Sequence, residues 1–421
     1  MTSRATFRER FPGASSIIEN GALLTGARWA ETGIRAVYAV LIGRLLGPEL
    51  YGAWSITLAL YTFAIGFTHY GLESIIPLRL SRQKDAQSFI GTTLFVRLVL
   101  LATAAVFLAL HVMVFVGDWF SRTALLIVLP ALIGRGVVLW ARSVFVGLED
   151  NRVALQVTIS MRLLELLFGL SCILVGYGLF ALLALHAATW VIEAFAMLFA
   201  LSRRRALALS FTEDEFRDIG ARGAILGLGS IGMGALLSLP IILTRYVSGD
   251  ITAVGQMAMS MQVASLVVMA VHSGFAASLP IVSRAISVGD PRVRYYSALT
   301  GLGVAVLFGF AVVAAQAFGP LVFSQLLGEE FALAGEWLTP ALVSAGIMTL
   351  PTGVVQLLIA KQRVWSPAVA SWVGALILVL TLPSLVRSQG PSGALYAAAL
   401  GWAFYGAVLV AWSVATRDKQ V

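Results

Sequence analysis

The residues able to do chemistry in this chain are ionisable side chains stranded in apolar sequence. Arg28, Glu31 and Arg35 are separated by three and then four residues, which sets them on one helical face with Tyr38. Arg135 and Arg142 share a second face, Arg162 and Glu165 form an i,i+3 pair, and His186, Trp190 and Glu193 share a third face. Arg97 stands alone within FVRLVLLATAAVFLAL. These six arginines outnumber the acids of the same stretches, Glu31, Glu73, Glu165 and Glu193. A guanidinium is a planar fork of N–H donors that matches phosphate oxygens, so the excess predicts anion binding by Arg28, Arg35, Arg97, Arg135, Arg142 and Arg162. Arg142 and Arg162 would act as an inner relay. Glu31, Glu165 and Glu193 are candidate protonatable couplers to an ion gradient. The competing reading is that arginines and acids neutralise one another, or that Arg142 snorkels to the interface.

Other chemistries find no support. HExxH, GxSxG and Walker patterns are absent, so neither an enzyme nor ATP-driven transport is expected. No metal site is expected either: the lone cysteine, Cys172, allows no intrachain disulfide or Cys-rich zinc centre. His69 and His272 are expected to be packing residues.

The surroundings of these charges explain their significance. Of 421 residues, 59% are hydrophobic and only 12% charged, half the charged share of a soluble domain, which is roughly 25%. At about 20 residues per crossing, the length admits roughly a dozen helices. The apolar runs predict twelve spans, at 17–43, 51–76, 88–115, 123–147, 153–176, 179–201, 223–246, 251–279, 296–324, 337–360, 365–386 and 391–415. An arginine at mid-membrane costs at least ~2.5–3.5 kcal/mol on insertion scales, so the six within spans should face a cavity or one another.

The remaining cations give the orientation. With the N-terminus inside, nineteen Lys and Arg fall on the cytoplasmic side and four outside, Arg44, Arg122, Arg245 and Arg387. Both termini are therefore expected in the cytoplasm, and the net charge of +8 reads as a topology signal rather than a nucleic-acid footprint.

The longest inside loop, 202–222, separates six predicted spans on each side, giving an N-lobe at 1–201, a linker and a C-lobe at 223–421. Thr212 and Glu215 have capping-box spacing, which predicts a short linker helix on the membrane surface. An offset of 203 residues pairs Gly52 with Gly255, His69 with His272, Gly71 with Gly274 and Pro77 with Pro280, pointing to parallel repeats of six spans.

Particular stretches also carry a family resemblance: GRLLGPELYGAWSITLALYTFAIGFTHYGLES at 43–74, FVGLEDNRVA at 145–154, VGQMAMSMQV and LPIVSR within 254–284, and LLGEEFALAGEWLTPALVSAGIMTLPTGVVQLLIAKQR at 326–363. In order and spacing they resemble Wzx-type O-antigen and polysaccharide flippases of the multidrug/oligosaccharidyl-lipid/polysaccharide exporter superfamily. The resemblance implies an all-α polytopic membrane protein, twelve transmembrane helices in two six-helix lobes forming a V-shaped bundle, in the bacterial inner membrane. It implies alternating-access transfer of an undecaprenyl-pyrophosphate-type lipid-linked glycan to the outer leaflet. Partners would be the polysaccharide polymerase and chain-length proteins, and no cofactor is needed beyond a proton or sodium gradient or the membrane potential. Two alternatives stay open: a drug/cation antiporter of the same superfamily, and a non-transporting scaffold of polysaccharide assembly.

Overall fold

The computed structural model describes residues 14–82, 87–204, 207–287, 293–360, 363 and 365–415. Arg4, Arg8, Arg10, Lys84, Arg205, Arg292, Lys361, Arg417 and Lys419 lie outside them, as do the side chains of Arg28 and His272. The described chain is all helical apart from its turns: α1 (Ala14–Gly66), α2 (Leu72–Arg82), α3 (Gln87–Phe115), α4 (Trp119–Gly147), α5 (Asn151–Leu174), α6 (Gly178–Ser202), α7 (Glu213–Ser248), α8 (Ile251–Ser287), α9 (Val293–Leu327), α10 (Ala332–Thr349), α11 (Thr352–Ala360), α12 (Trp365–Gln389) and α13 (Gly393–Ala415), with a 3₁₀ turn at Glu329–Phe331. Among the described residues, ten helical segments beyond α1 and α2 are long and apolar enough to cross a membrane.

Several boundaries differ from the predicted ones. The first two predicted spans share α1, which bends at Gly47 (φ 72°, ψ 170°) before Pro48. Positive φ suits glycine, and a residue preceding proline is kept out of the helical region, so the bend lies where the sequence allows it. The second predicted span ends at Gly66, ten residues early. The chain turns through Tyr70 (φ 43°) and Gly71 (φ 65°) and restarts as α2. The tenth span breaks at Leu350–Pro351 into α10 and α11. Residues 213–222 do not form a separate surface helix but are the first turns of the 36-residue α7. Thr212 makes no side-chain cap. Its hydroxyl instead lies 2.6 Å from that of Ser88, while its N–H donates to Thr92 Oγ1 (3.2 Å).

Helices α2 to α6 pack mainly on one another and on α1, and α7 to α13 mainly on one another, while α1 packs on both groups. The second group relies on small residues, which let helix backbones approach closely where the medium offers no hydrophobic drive. Gly319 meets Gly335 between α9 and α10, Gly374 meets Gly401 between α12 and α13, and Gly232 receives Ser371 from α12. The first group meets the second chiefly through α1. Near the bend, a Cβ on Gly52 would collide with the carbonyl oxygen of Ile251, and one on Gly255 with that of Pro48. Pro48 and Ile251 are themselves 203 residues apart, so this contact is reciprocal under the offset that paired the two glycines in sequence. Arg44 Nη1 donates to Leu326 O (3.1 Å), and Tyr51 sits edge-on to Phe331 (centroids 6.2 Å apart), closing the same end. Toward the linker end, Tyr70 lies over Gly223 and Gly227, and its hydroxyl donates to Gly220 O (3.1 Å).

Because the added methyls would strike backbone, Gly52→Val and Gly255→Val are each expected to destabilise the folded protein by at least about 1–3 kcal/mol, the usual cost of overpacking. Gly26→Ala, which meets only open space, should be neutral. Apparent unfolding temperatures of the purified variants check this, and an unshifted Gly255→Val would remove the close approach.

Candidate functional site

Three of the charged stripes converge. Each lies on a different helix facing α6, and α6 packs against α4, α5 and α1. Glu193, with none of its side chain exposed, is the meeting point: Oε1 accepts from Arg142 Nη2 at 2.8 Å and Oε2 from Arg162 Nη2 at 2.6 Å. Thr158 Oγ1 adds a third hydrogen bond to Oε1 at 2.9 Å. Arg142 Nη1 also reaches Glu31 Oε2 at 3.2 Å, and Glu31 Oε1 holds Arg35 Nη2 at 3.2 Å. Arg162 pairs with Glu165, whose other oxygen lies 2.5 Å from His186 Nδ1. The chain Arg35, Glu31, Arg142, Glu193, Arg162, Glu165, His186 is thus continuous from α1 through α4, α5 and α6.

It continues into α1 again beyond the bend. Trp190 Nε1, which can only donate, points to His186 Nε2 at 3.2 Å, so that nitrogen is an acceptor and the ring proton belongs on Nδ1, facing Glu165. Tyr61 OH lies 2.9 Å from the same Nε2, and its oxygen accepts from Arg135 Nη1 at 2.9 Å. In this tautomer His186 is neutral. Arg135 also donates to Thr62 Oγ1 (3.1 Å), and among the described residues it pairs with no carboxylate.

The cluster has a sealed floor and an open rim. Arg162, Glu165, Glu193 and His186 are buried, whereas the Arg35 and Arg142 side chains are 34% and 24% exposed and Arg135 is half-buried. At about 1.5 Å of rise per residue, Arg35 lies roughly 18 Å along α1 from the bend. Four arginines against three glutamates, with His186 neutral, leave one positive charge in excess. A separate cavity of about 440 Å³ lies at the bend end, lined by Thr57, Phe120, Ser121, Arg245, Tyr246 and Ile251 among others; it shares no residue with the cluster.

Of the predicted anion site, the structure therefore brings together Arg35, Arg135, Arg142 and Arg162. It does not place Arg97 with them. Arg97, with no exposed side-chain surface, donates to Thr68 O (2.5 Å), a carbonyl in the turn that ends α1, and to Gly136 O (2.9 Å), and pairs with Glu73 at 3.0 Å. It ties the α1–α2 turn to α3 and α4. The reading of His69 as a packing residue needs a partner added, since its Nδ1 lies 2.8 Å from Glu73. The internal pairing that competed with anion binding is real for Arg35, Arg142 and Arg162, and fails for Arg135. Sequence reasoning put His186 and Trp190 on one face with Glu193 but left Tyr61 out. No spacing links Tyr61 to Arg135, and only the packing of α1 on α4 and α6 does.

A family model described as polysaccharide biosynthesis protein matches residues 17–250. The chain belongs to this family. The match spans more than half of the protein and includes every member of the arginine cluster. No curated protein sequence matches. Solved structures share the fold at low identity. One is an inward-facing multidrug resistance MATE family transporter of the MOP superfamily, at 12% identity, with 94% of this chain and 100% of that chain covered and a TM-score of 0.73. Another is the lipid II flippase MurJ in an inward closed conformation, at 12% identity over 95% and 88%, TM-score 0.70. A MOP superfamily transporter from Pyrococcus furiosus matches at 14% identity over 94% and 95%, TM-score 0.67. The family membership and the shared fold agree with the ten long apolar helical segments in describing a multi-pass membrane protein.

In this member of the family the enclosed charges should matter for folding. Glu193→Leu strands two arginines and is expected to cost about 3–5 kcal/mol of stability, the usual price of breaking a buried pair. Arg97→Met, which leaves two carbonyls unanswered and Glu73 with His69 alone, should lose a similar amount. Unfolding temperature and detergent-resistant yield read both, and a native-like Glu193→Leu would mean that the network is not what holds α4 and α5 to α6.

Proposed function

We propose that this protein is a flippase that carries a polyprenyl-pyrophosphate-linked oligosaccharide from the cytoplasmic to the outer leaflet for surface polysaccharide synthesis. The supporting observation is Arg135, a guanidinium without a carboxylate, on the rim of a net-positive cluster. A pyrophosphate brings the acceptor oxygens that such a rim lacks. An organic cation would meet repulsion there, which disfavours the drug antiporter. A scaffold would have no use for charge that is costly to insert.

In this reading residues 1–201 and 223–421 are two six-helix lobes of a twelve-helix, V-shaped bundle, joined by the linker 202–222, with both termini in the cytoplasm. The Gly52–Gly255 contact then lies on the outer side. The glycan and pyrophosphate enter between the lobes while the polyprenyl tail stays in lipid, and rocking of the lobes exposes them outside. Arg35, Arg135 and Arg142 take the anion first, with Arg28 on the same face of α1, and Arg162 stands behind them. Of the acids proposed for ion coupling, Glu31 is the most accessible, at 17% exposed, and shares its two oxygens between Arg35 and Arg142. A pyrophosphate that draws those arginines away leaves Glu31 free to take a proton. Glu165 and Glu193, enclosed and doubly held, are slower candidates.

At matched expression, Arg135→Ala is expected to lower delivery of surface polysaccharide by about ten- to a hundredfold, the effect of losing one charge-assisted contact, and Arg135→Lys to restore part of it. Normal delivery by both variants would exclude Arg135 from the site, and altered susceptibility to cationic compounds on deletion would favour the antiporter. In proteoliposomes, Glu31→Gln should abolish substrate-dependent proton flux, and unchanged flux would take Glu31 out of the coupling.

A further inference from the structure

One uncharged residue contacts four members of the cluster at once. Trp190, 1% exposed at the middle of α6, has three guanidiniums around its indole: Arg162 at 4.1 Å from the ring centroid, Arg35 at 5.3 Å and Arg135 at 5.4 Å. All three fall within the ~6 Å over which a cation is attracted to an aromatic face. They come from three helices, α5, α1 and α4. Its N–H at the same time fixes the acceptor nitrogen of His186, and so the neutral tautomer that faces Glu165. The backbone of α4 approaches this residue closely: a Cβ on Gly134 would collide with the Trp190 carbonyl.

Three like charges around one point repel, and the acids relieve this only in part. Glu31 answers Arg35, and Glu165 and Glu193 answer Arg162, but among the described residues no carboxylate pairs with Arg135. Arg135 is held by the hydrogen bonds from its Nη1 to Tyr61 OH and Thr62 Oγ1 and by the π faces of Trp190 and of Tyr61, whose centroid is 5.5 Å away. An aromatic face suits this place better than a fourth carboxylate. It draws the guanidinium in without occupying its N–H donors, which stay available to an incoming oxyanion, whereas a carboxylate would fill them and cancel the charge.

We propose that Trp190 is the positioning residue of the anion site: its ring gathers Arg35 and Arg135 at the rim into one receptor for a pyrophosphate, backed by Arg162, whose own donors are held by Glu165 and Glu193. This rests on the anion-binding reading above. Trp190 touches no substrate in this scheme and acts through the arginines it orients.

The test uses the full chain purified into lipid nanodiscs, with inorganic pyrophosphate and geranyl pyrophosphate as probes and calorimetric titration as readout. Trp190→Phe keeps an aromatic face and loses the N–H; Trp190→Leu loses the face. Both probes should bind wild type and bind Trp190→Phe within about threefold, but bind Trp190→Leu about tenfold or more weakly. Trp190→Met makes the same comparison should Trp190→Leu not fold. Unfolding temperature without probe is followed in parallel. A purely structural residue would lower it in both variants while leaving probe affinity alike, and that pattern would overturn the proposal. Equal loss of affinity in Trp190→Phe and Trp190→Leu would also overturn it, by assigning the effect to the N–H. If neither probe binds wild type, the failure belongs to the anion-binding reading itself, whatever the variants do.

Discussion

The first half of this protein is governed by the cost of placing charge in an apolar medium. A lone guanidinium in a bilayer core must find an acid, a carbonyl or water, and the helices that supply these partners are held together by the need. Glu193 shows this most directly, since one enclosed carboxylate answers arginines from α4 and α5 and a hydroxyl from α5. Arg97 shows it again with carbonyls, taking the one at Thr68 that the end of α1 leaves open. The second half has no such network among its described residues and is assembled by close approach at Gly319, Gly335, Gly374 and Gly401. One sequence has thus used two solutions to the same problem, which is that apolar packing alone does not drive helices together in lipid.

The junction between halves follows from that division. The ionic network does not cross it; it stays within α1 and α4 to α6. Among the contacts that cross are the glycine approaches, the Arg44-to-carbonyl bond and the Tyr51–Phe331 ring contact near the bend, and at the linker end Tyr70, Thr212 with Ser88 and Thr92, and the ion pairs from Arg79 to Asp218 (2.9 Å) and Glu215 (3.6 Å). The Arg79 pairs tie the start of α7 to α2, so the linker travels with the first half. Contacts of van der Waals kind between glycines can part without stranding a polar group, whereas opening the buried network would strand several.

Most of the architecture was legible because hydropathy and residue spacing act locally. The helical spans, the acids and arginines on shared faces, and the 203-residue offset that the Gly52–Gly255 contact obeys could all be read from the chain. Most of what escaped depended on the third dimension. The turn at Tyr70–Gly71 lies in the short polar stretch THYGLES, residues 68–74, which the predicted second span ran through because apolar sequence resumes at Ile75. Thr212 and Glu215 have capping-box spacing, but Ser88 and Thr92 of α3 offered Thr212 better partners. Arg97 looked like the other five arginines because the carbonyls that satisfy it belong to other segments. Tyr61 and Trp190 looked like ordinary aromatic core, which by burial they are, and their importance appears only when three arginines are found around them.

The small size of the charge excess is itself informative. A cavity lined by free arginines would bind a pyrophosphate tightly and release it poorly, and it would be costly to fold. Here Arg35 and Arg142 are already neutralised, by acids they share, and each keeps part of its surface open. Under the proposed function, an arriving anion would replace one carboxylate with another oxyanion of similar geometry, so the desolvation of each guanidinium would be met before substrate arrives and the exchange would be close to balanced. Arg135, which among the described residues pairs with no carboxylate, would bias the exchange toward entry. The displaced Glu31 would then be the means of expelling the cargo, because its return to Arg35 and Arg142 would compete directly with the bound anion. Binding and release would in this way be two settings of one set of ion pairs, and the paired arginines as necessary to carriage as the unpaired one.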